Sequence, residues 1–193
     1  FVMKIRGIVM AEVVNMVASQ RICDFIDVNE VSYVLDIDYE REQFPGLVYR
    51  IKEPKICILL FRSGKAVATG ARNKADIKTA FTMMRDDLRK NEFNLYPEEN
   101  IRTEYHNIVV TTDLSEQLSG ARLNLTSLVF SLPFQYTEYE PEQFPGLIYK
   151  NPDLNVVYLI FSSGRCVITG SKTFEEALKA EEQLKEDLKP FMS

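Results

Sequence analysis

The sequence is poor in the residues that build metal and redox sites. Its 193 residues include no tryptophan, one histidine and three cysteines. His106 alone cannot form a histidine-based metal site, and no two cysteines have the CxxC spacing of zinc or redox sites. We therefore expect no metal and no cofactor, and we interpret Cys23, Cys57 and Cys166 as buried free thiols of an intracellular protein.

The common signatures of catalysis and of membrane insertion are also missing. The chain has no P-loop, no nucleophile elbow and no GxGxxG segment. No apolar run approaches the roughly eighteen residues of a membrane helix. The apolar start is interrupted by Lys4, Arg6 and Gly7 and lacks a cleavage-site pattern, so we expect no targeting signal. These absences disfavour an enzyme and predict a soluble globular protein without membrane contact.

The chain has a small net negative charge, and its charged residues are unevenly distributed along the sequence. The net charge of -5 argues against a protein held to nucleic acid by phosphate neutralisation alone. However, the segment 50–72 carries a local balance of +5 and the segment 150–172 one of +2. Six acids and three lysines lie in 173–189. The negative charge is therefore separated along the chain from two basic stretches.

An internal duplication organises the sequence. The segment Tyr39–Arg50 returns as Tyr139–Lys150 with nine of twelve positions identical, and Leu59–Gly70 returns as Leu159–Gly170 at the same offset of 100. Two matches in one register indicate two repeats, which we place at 1–96 and 97–193.

The two repeats differ in one loop. Asn15 corresponds to Asn107, but the distance to the repeated tyrosine grows from 24 to 32 residues. We therefore expect extra loop in the second repeat, around 113–124, and a polar connector between the repeats at 91–103.

Each repeat has the pattern of a mixed α+β unit. Alternating strand segments and a short helical segment at 28–35 precede several strands and a long final helix. Ile77, Ala80, Phe81, Met84 and Leu88 form one apolar stripe at helical spacing. In the second repeat Thr173 and Glu176 form a capping-box pattern at the start of the final helix.

Strand alternation sorts the first-repeat side chains into two faces, both uncharged in the middle. Helices could cover both faces, which would make both sets ordinary core. Alternatively, two helices per repeat cover one face and leave the other for a partner. The predicted covered set is Val14, Met16, Ala18, Ile56, Ile58, Leu60, Ala66 and Ala68, and the other set is Asn15, Val17, Ser19, Cys57, Leu59, Phe61, Lys65, Val67 and Thr69.

The chemistry of the second face suits DNA. A broad face of aliphatic side chains, one asparagine per repeat and a cation at the strand end matches an opened minor groove edged by phosphates. The minor groove offers few distinguishing hydrogen bonds, so such a face would mainly separate A·T from G·C pairs. Further specificity would come from the deformability of the DNA.

The repeated Glu-Gln-Phe-Pro-Gly-Leu, with Phe-x-Ser-Gly and Val-x-Thr-Gly after it, resembles the TATA-box-binding protein family over roughly 12–189. The resemblance implies an α+β fold of two pseudo-symmetric repeats. They would form a saddle-shaped ten-stranded antiparallel sheet, with four helices on the convex side and DNA on the concave side. It also implies a general initiation factor that binds A·T-rich promoter (TATA) DNA and kinks it by phenylalanine intercalation.

The resemblance implies three groups of DNA-binding residues. The intercalating phenylalanines match Phe44, Phe61, Phe144 and Phe161. The asparagines and groove-lining residues match Asn15, Val17, Leu59, Val67, Thr69, Asn107, Val109, Leu159, Val167 and Thr169. The phosphate-contacting rim matches Arg50, Ser63, Lys65, Lys150, Ser163 and Arg165.

Partners are implied in the same way. Transcription factor B would dock on the second-repeat turn at Glu140, Glu142 and Gln143, within an RNA polymerase initiation complex. Self-association in the absence of DNA stays open from the sequence. The acidic composition and the intact first-repeat motif favour an archaeal member. Departures from the family pattern, including Tyr105 and His106 before the second asparagine and the longer second-repeat loop, favour a divergent member or paralogue. We thus expect a cytoplasmic, nucleoid-associated protein, or a nuclear one if the source is eukaryotic.

Two other functions stay open from the sequence. A protein-interaction or regulatory module that has lost TATA binding could present the same apolar face to another chain. A DNA-repair enzyme domain is less favoured, because the adjacent Asp86 and Asp87 have the pattern of a solvated helix surface.

Overall fold

The computed structural model describes residues 2–5 and 8–192, with side chains described for 11–192. The chain divides into two compact units. The first unit is Asn15–His106, and the second unit is Phe1–Val14 together with Asn107–Ser193. The expectation about a targeting signal falls partly outside the described residues.

The first unit contains a four-strand segment in the order β3-β4-β5-β2 and two helices. Strand β1 (Val2–Ile5) pairs with the start of the long strand β2 (Ile8–Arg21), which continues into this unit. The other elements are α1 (Val28–Leu35), β3 (Leu47–Ile51), β4 (Ile56–Leu60), β5 (Lys65–Ala71) and α2 (Lys74–Lys90).

The second unit repeats this arrangement in the strand order β6-β10-β9-β8-β7. Its elements are β6 (Thr103–Asp113), which begins in the first unit, α3 (Leu125–Ser131), β7 (Thr137–Glu138), β8 (Leu147–Asn151), β9 (Val156–Ile160), β10 (Arg165–Ser171) and α4 (Phe174–Leu188). In each unit the described strands pair in antiparallel fashion and are accompanied by two α-helices, which confirms the predicted α+β class.

Side-chain caps fix where the helices begin. Asp27 accepts hydrogen bonds from two backbone N–H groups at the start of α1, and Asn73 accepts one at the start of α2. One half of the capping box predicted at α4 is present, because the Glu176 N–H donates to Thr173 Oγ1 at 3.1 Å. The other half is shifted by one residue, since Glu176 Oε2 accepts from the N–H of Lys172, which precedes the N-cap Thr173, at 2.7 Å. Among the described residues, no helix combines the length and the hydrophobicity that crossing a bilayer requires.

Burial separates the two sheet faces. In the first unit α2 contacts β4 and β5, and in the second α4 contacts β10. Seven of the eight side chains predicted on the covered face are buried. Val14 is the exception: Val13 is buried and Val14 is half-exposed, because the alternation changes phase between Val13 and Met16. The alternative in which helices cover both faces is wrong, since the middle of the second set is half-exposed.

Candidate nucleic-acid interface

The half-exposed face of the first unit consists of aligned rows of uncharged side chains. Strand pairing places Val17 opposite Thr69 and Thr69 opposite Cys57, while Val67 lies opposite Leu59. All five are half-exposed. Because directly opposed residues point to the same side of a sheet, they form one continuous apolar surface.

The second unit builds the same surface from different residues. Thr111 lies opposite Val167, and Val167 lies opposite Leu159. Val109, Thr169 and Val157 are likewise half-exposed. The groove-lining residues predicted from the sequence are therefore brought together within each unit.

The two asparagines are held with their amide nitrogens available. Asn15 Oδ1 accepts from the Gly70 N–H at 2.8 Å, and Asn107 Oδ1 accepts from the Gly170 N–H at 2.8 Å. A backbone N–H can only donate, so these bonds fix which end of each amide is oxygen. Each Nδ2 donates one hydrogen to the hydroxyl of Thr69 or Thr169, at 3.3 and 2.9 Å. Within the described part of the chain each Nδ2 makes this one bond, so its second hydrogen is available to a ligand.

Two aromatic pairs lie at the ends of strands in their units. Phe44 and Phe61 have ring centroids 6.1 Å apart in an edge-to-face arrangement, and Phe144 and Phe161 have theirs 5.8 Å apart. Phe44 is 40% exposed and the other three rings are half-exposed. Large aromatic side chains normally bury most of their surface, so their partial exposure marks a contact surface.

A glycine lies beneath each aromatic pair. A Cβ on Gly46 would lie 2.7 Å from Phe44 Cε1, and one on Gly146 would lie 2.8 Å from Phe144 Cε1. Atoms of Phe61 and Phe161 would be 3.0 and 3.1 Å away. The glycine of each Phe-Pro-Gly segment is thus required for the close approach of the rings.

The cationic rim differs between the units. Lys65 and Arg50 are exposed, and no ion pair involves either of them within the described part of the chain. Arg165 Nε lies 3.3 Å from Asp113 Oδ2, and Lys150 Nζ lies 2.9 Å from Glu138 Oε1. The rim serines, Ser63 and Ser163, are exposed in the adjoining turns.

Asp113 is held in its ionised form. Hydrogen bonds from Ser115 and the neighbouring Arg165 guanidinium lower the pKa of the Asp113 carboxyl. The carboxylate therefore remains charged beside Arg165 at neutral pH, which reduces the positive potential on this side of the second unit.

The turn predicted to dock transcription factor B also supports an aromatic pair. The Glu140 carbonyl accepts from the N–H groups of Gln143 and Phe144, both at 2.9 Å. The side chains of Glu140, Glu142 and Gln143 are exposed. One turn thus presents two carboxylates outward and carries Phe144.

The sequence prediction omitted Val48 and Ile148 from the face. They lie opposite Leu59 and Leu159 and are half-exposed. Each lies between two residues that are buried, the leucine of the Phe-Pro-Gly-Leu segment and the tyrosine two positions later. Strand alternation after that leucine was therefore a signal that could have placed Val48 and Ile148 on the exposed face.

Comparison with known proteins agrees with this geometry. The family model described as transcription factor TFIID, or TATA-binding protein, matches residues 10–91 and 102–191. The chain belongs to the TATA-box-binding protein family. It is 42% identical over 175 residues to the TATA-box-binding protein of Picrophilus torridus, covering 90% of this chain and 91% of that protein. The protein of that name from Archaeoglobus fulgidus is 42% identical over 176 residues, covering 91% of this chain and 92% of that protein.

Solved structures give the same result. A structure described as Methanococcus jannaschii TBP superposes with a TM-score of 0.80 at 41% identity, covering 93% of this chain and 98% of that one. Membership of the family makes this chain a DNA-binding transcription factor of archaeal type rather than an enzyme. The DNA-repair interpretation is therefore abandoned. The described residues contain no cluster of three or more potential metal ligands.

Proposed function

We propose that this protein is a general initiation factor that binds the minor groove of A·T-rich promoter DNA, kinks it with its phenylalanines and recruits transcription factor B. One observation carries the proposal. Each unit joins an uncharged, half-exposed sheet face to a fixed asparagine amide and a partly exposed aromatic pair. The similar archaeal proteins are TATA-box-binding proteins, which supports TATA DNA as the ligand.

Recognition would be limited in hydrogen bonds and rich in apolar contact. Adenine N3 and thymine O2 are the acceptors that A·T pairs offer in the minor groove. The unused amide hydrogens of Asn15 and Asn107 suit such acceptors, whereas the guanine amino group would oppose them. The remaining selectivity would come from how readily the sequence deforms.

The aromatic pairs would act as wedges. Proteins that bend DNA from the minor groove insert apolar side chains between base steps, and the TATA-binding proteins are themselves an established example. In each pair the two rings meet edge to face, which leaves ring faces that a base can stack against.

Mobility shift and fluorescence energy transfer between labelled DNA ends test this proposal together. Wild-type protein should shift an A·T-rich duplex and bring its ends closer, and G·C pairs in the centre should weaken both effects. Phe144→Ala should reduce bending, whereas Phe130→Ala, which removes a ring that is 84% exposed on α3, should not. Equal bending by wild type and Phe144→Ala would refute the wedge role.

The rim is tested by salt dependence. Lys65→Glu and Arg165→Glu should both lower affinity and flatten its dependence on salt, because each removes a cation that would neutralise a phosphate. We expect the larger effect at Lys65, since Arg165 is already paired with Asp113. Unchanged salt slopes in both variants would exclude this rim.

Recruitment of transcription factor B is assigned to the turn with Glu140, Glu142 and Gln143. Glu140→Arg combined with Glu142→Arg should leave binding to TATA DNA nearly intact and abolish the ternary complex, since charge at an interface governs partner recognition. The equivalent first-repeat pair, Glu40→Arg with Glu42→Arg, is the matched control and should retain the complex. A ternary complex that still forms with the Glu140→Arg, Glu142→Arg variant would place transcription factor B on another surface.

Three further assignments belong to the proposal. The repeats at 1–96 and 97–193 are the duplicated functional units. The DNA complex with transcription factor B would serve RNA polymerase as the base of the initiation complex. The archaeal relatives favour a cytoplasmic, nucleoid-associated location.

A further inference from the structure

A basic pocket lies outside the apolar face of the first unit. It is open, has a volume of about 460 Å³, and is bordered by Arg21, Lys65 and Arg102 with Glu104 as its single acid. All three cations are exposed. Ser63 and Asn100 add a neutral hydroxyl and an amide to its wall.

Two of these cations face each other directly. Arg21 on β2 is the cross-strand partner of Lys65 on β5. Like charges in opposed positions destabilise a sheet. The Asp24 carboxylate lies 3.9 Å from Arg21 and its side chain is 86% exposed, so this ion pair compensates little of the repulsion.

The corresponding place in the second unit has the opposite charge. There Asp113 is the cross-strand partner of Arg165. The adjoining pocket, of about 810 Å³, is bordered by Glu12, Asp113 and Glu116 and by Arg165 as its single cation. The fold is repeated, but three cations and one acid in the first unit become one cation and three acids in the second.

We propose that Arg21 and Arg102 join Lys65 in binding one backbone phosphate of the promoter DNA, whereas the second unit offers a phosphate Arg165 alone, with acids in place of the two arginines. A phosphate between Arg21 and Lys65 removes their repulsion, and guanidinium groups suit its oxygens. This inference rests on the proposed function, because it requires DNA on the sheet face.

The location suits a phosphate beside a kink. Lys65 closes the hairpin that begins at Phe61, with the Phe61 N–H donating to the Lys65 carbonyl at 2.9 Å. DNA unstacked by Phe61 would therefore carry its backbone toward this pocket. The acids of the second unit would instead repel phosphate, so the first unit would hold its end of the DNA more strongly.

Salt-dependent affinity of the full chain for an A·T-rich duplex tests the inference. Arg21→Gln and Arg102→Gln should each reduce the magnitude of the slope of log affinity against log salt by about 0.9. The loss of affinity relative to wild type should therefore be about 3.5-fold larger at about 50 mM salt than at about 200 mM. Lys78→Gln removes an equally exposed cation from α2 and should change neither quantity. Asp113→Asn, which can still accept the Ser115 N–H, should raise affinity and steepen the slope.

The outcomes separate the two proposals. No binding of the duplex by wild-type protein would overturn the proposed function. Normal binding by wild type, with Arg21→Gln and Arg102→Gln indistinguishable from Lys78→Gln, would overturn the pocket assignment alone. Titration with inorganic phosphate tests whether the pocket takes the free anion instead. Saturable phosphate binding that the substitutions remove, together with DNA binding that they leave unchanged, would identify a free-anion site and refute the DNA assignment.

Discussion

Gly146→Ala tests whether a backbone position sets the geometry of a DNA wedge. The added Cβ would lie 2.8 Å from Phe144 Cε1, whereas ordinary contact begins at 3.4 Å, so the ring must move by about 0.6 Å. Gly146 does not have a positive φ, so the backbone itself accepts alanine. The perturbation therefore acts on the aromatic pair.

The effects on folding and on binding should differ. Alanine restricts the unfolded chain and stabilises by ~0.4–1 kcal/mol, while a ring forced from its preferred rotamer costs ~0.5–1.5 kcal/mol. These terms offset each other, so the free energy of unfolding should change by less than about 1 kcal/mol. On DNA the ring must either return to its original position against the added Cβ or stack from a displaced position. We expect either to cost ~0.5–1.5 kcal/mol, as an off-rotamer side chain does, which corresponds to an affinity loss of about twofold to about tenfold.

Thermal unfolding and fluorescence energy transfer across the DNA measure the two effects. Gly120→Ala is the control, because Gly120 has a φ of +86° with no heavy atom within 4 Å of an added Cβ. It should cost ~1–2 kcal/mol of stability through backbone strain without altering the bend. Wild-type bending by Gly146→Ala would refute the reasoning, as would an equal loss of bending in Gly120→Ala.

Two further predictions concern a thiol and an ion pair. A maleimide should modify Cys57 first, because Cys57 is half-exposed, whereas Cys23 and Cys166 are buried. Burial raises the pKa of the Cys23 thiol and raises that of the Cys166 thiol to about 12, which keeps both protonated and unreactive. Bound A·T-rich DNA should slow the modification of Cys57, as followed by mass spectrometry. Arg85 lowers the pKa of Glu98 from 4.5, so the stability from their bond is present above pH 4.5 and lost as the pH falls through the lowered value. Glu98→Gln should lose ~1–2 kcal/mol at pH 7, because it deprives the buried Arg85 of its charged partner, although the Glu98 side chain itself is 54% exposed. Urea unfolding should show a weaker acid dependence than wild type.

Much of the site could be predicted from the sequence because strands alternate. Once Leu59 and Val67 were placed on strands, their common face followed from the period of two, and the duplication transferred it to Leu159 and Val167. Val14 shows where this fails: a change of phase within a strand leaves no mark in the sequence.

The sequence by itself determined the duplication, the α+β class, the N-cap of the final helix at Thr173 and the uncharged strand face, since each follows from local pattern or from identity between repeats. The tertiary structure decided which groups meet across strands. Asp113 neutralises Arg165 from 52 positions away, and Arg21 faces Lys65 from 44 positions away. Only strand register brings such residues together, so the opposite charge of two matching pockets could not be derived from the two repeats alone.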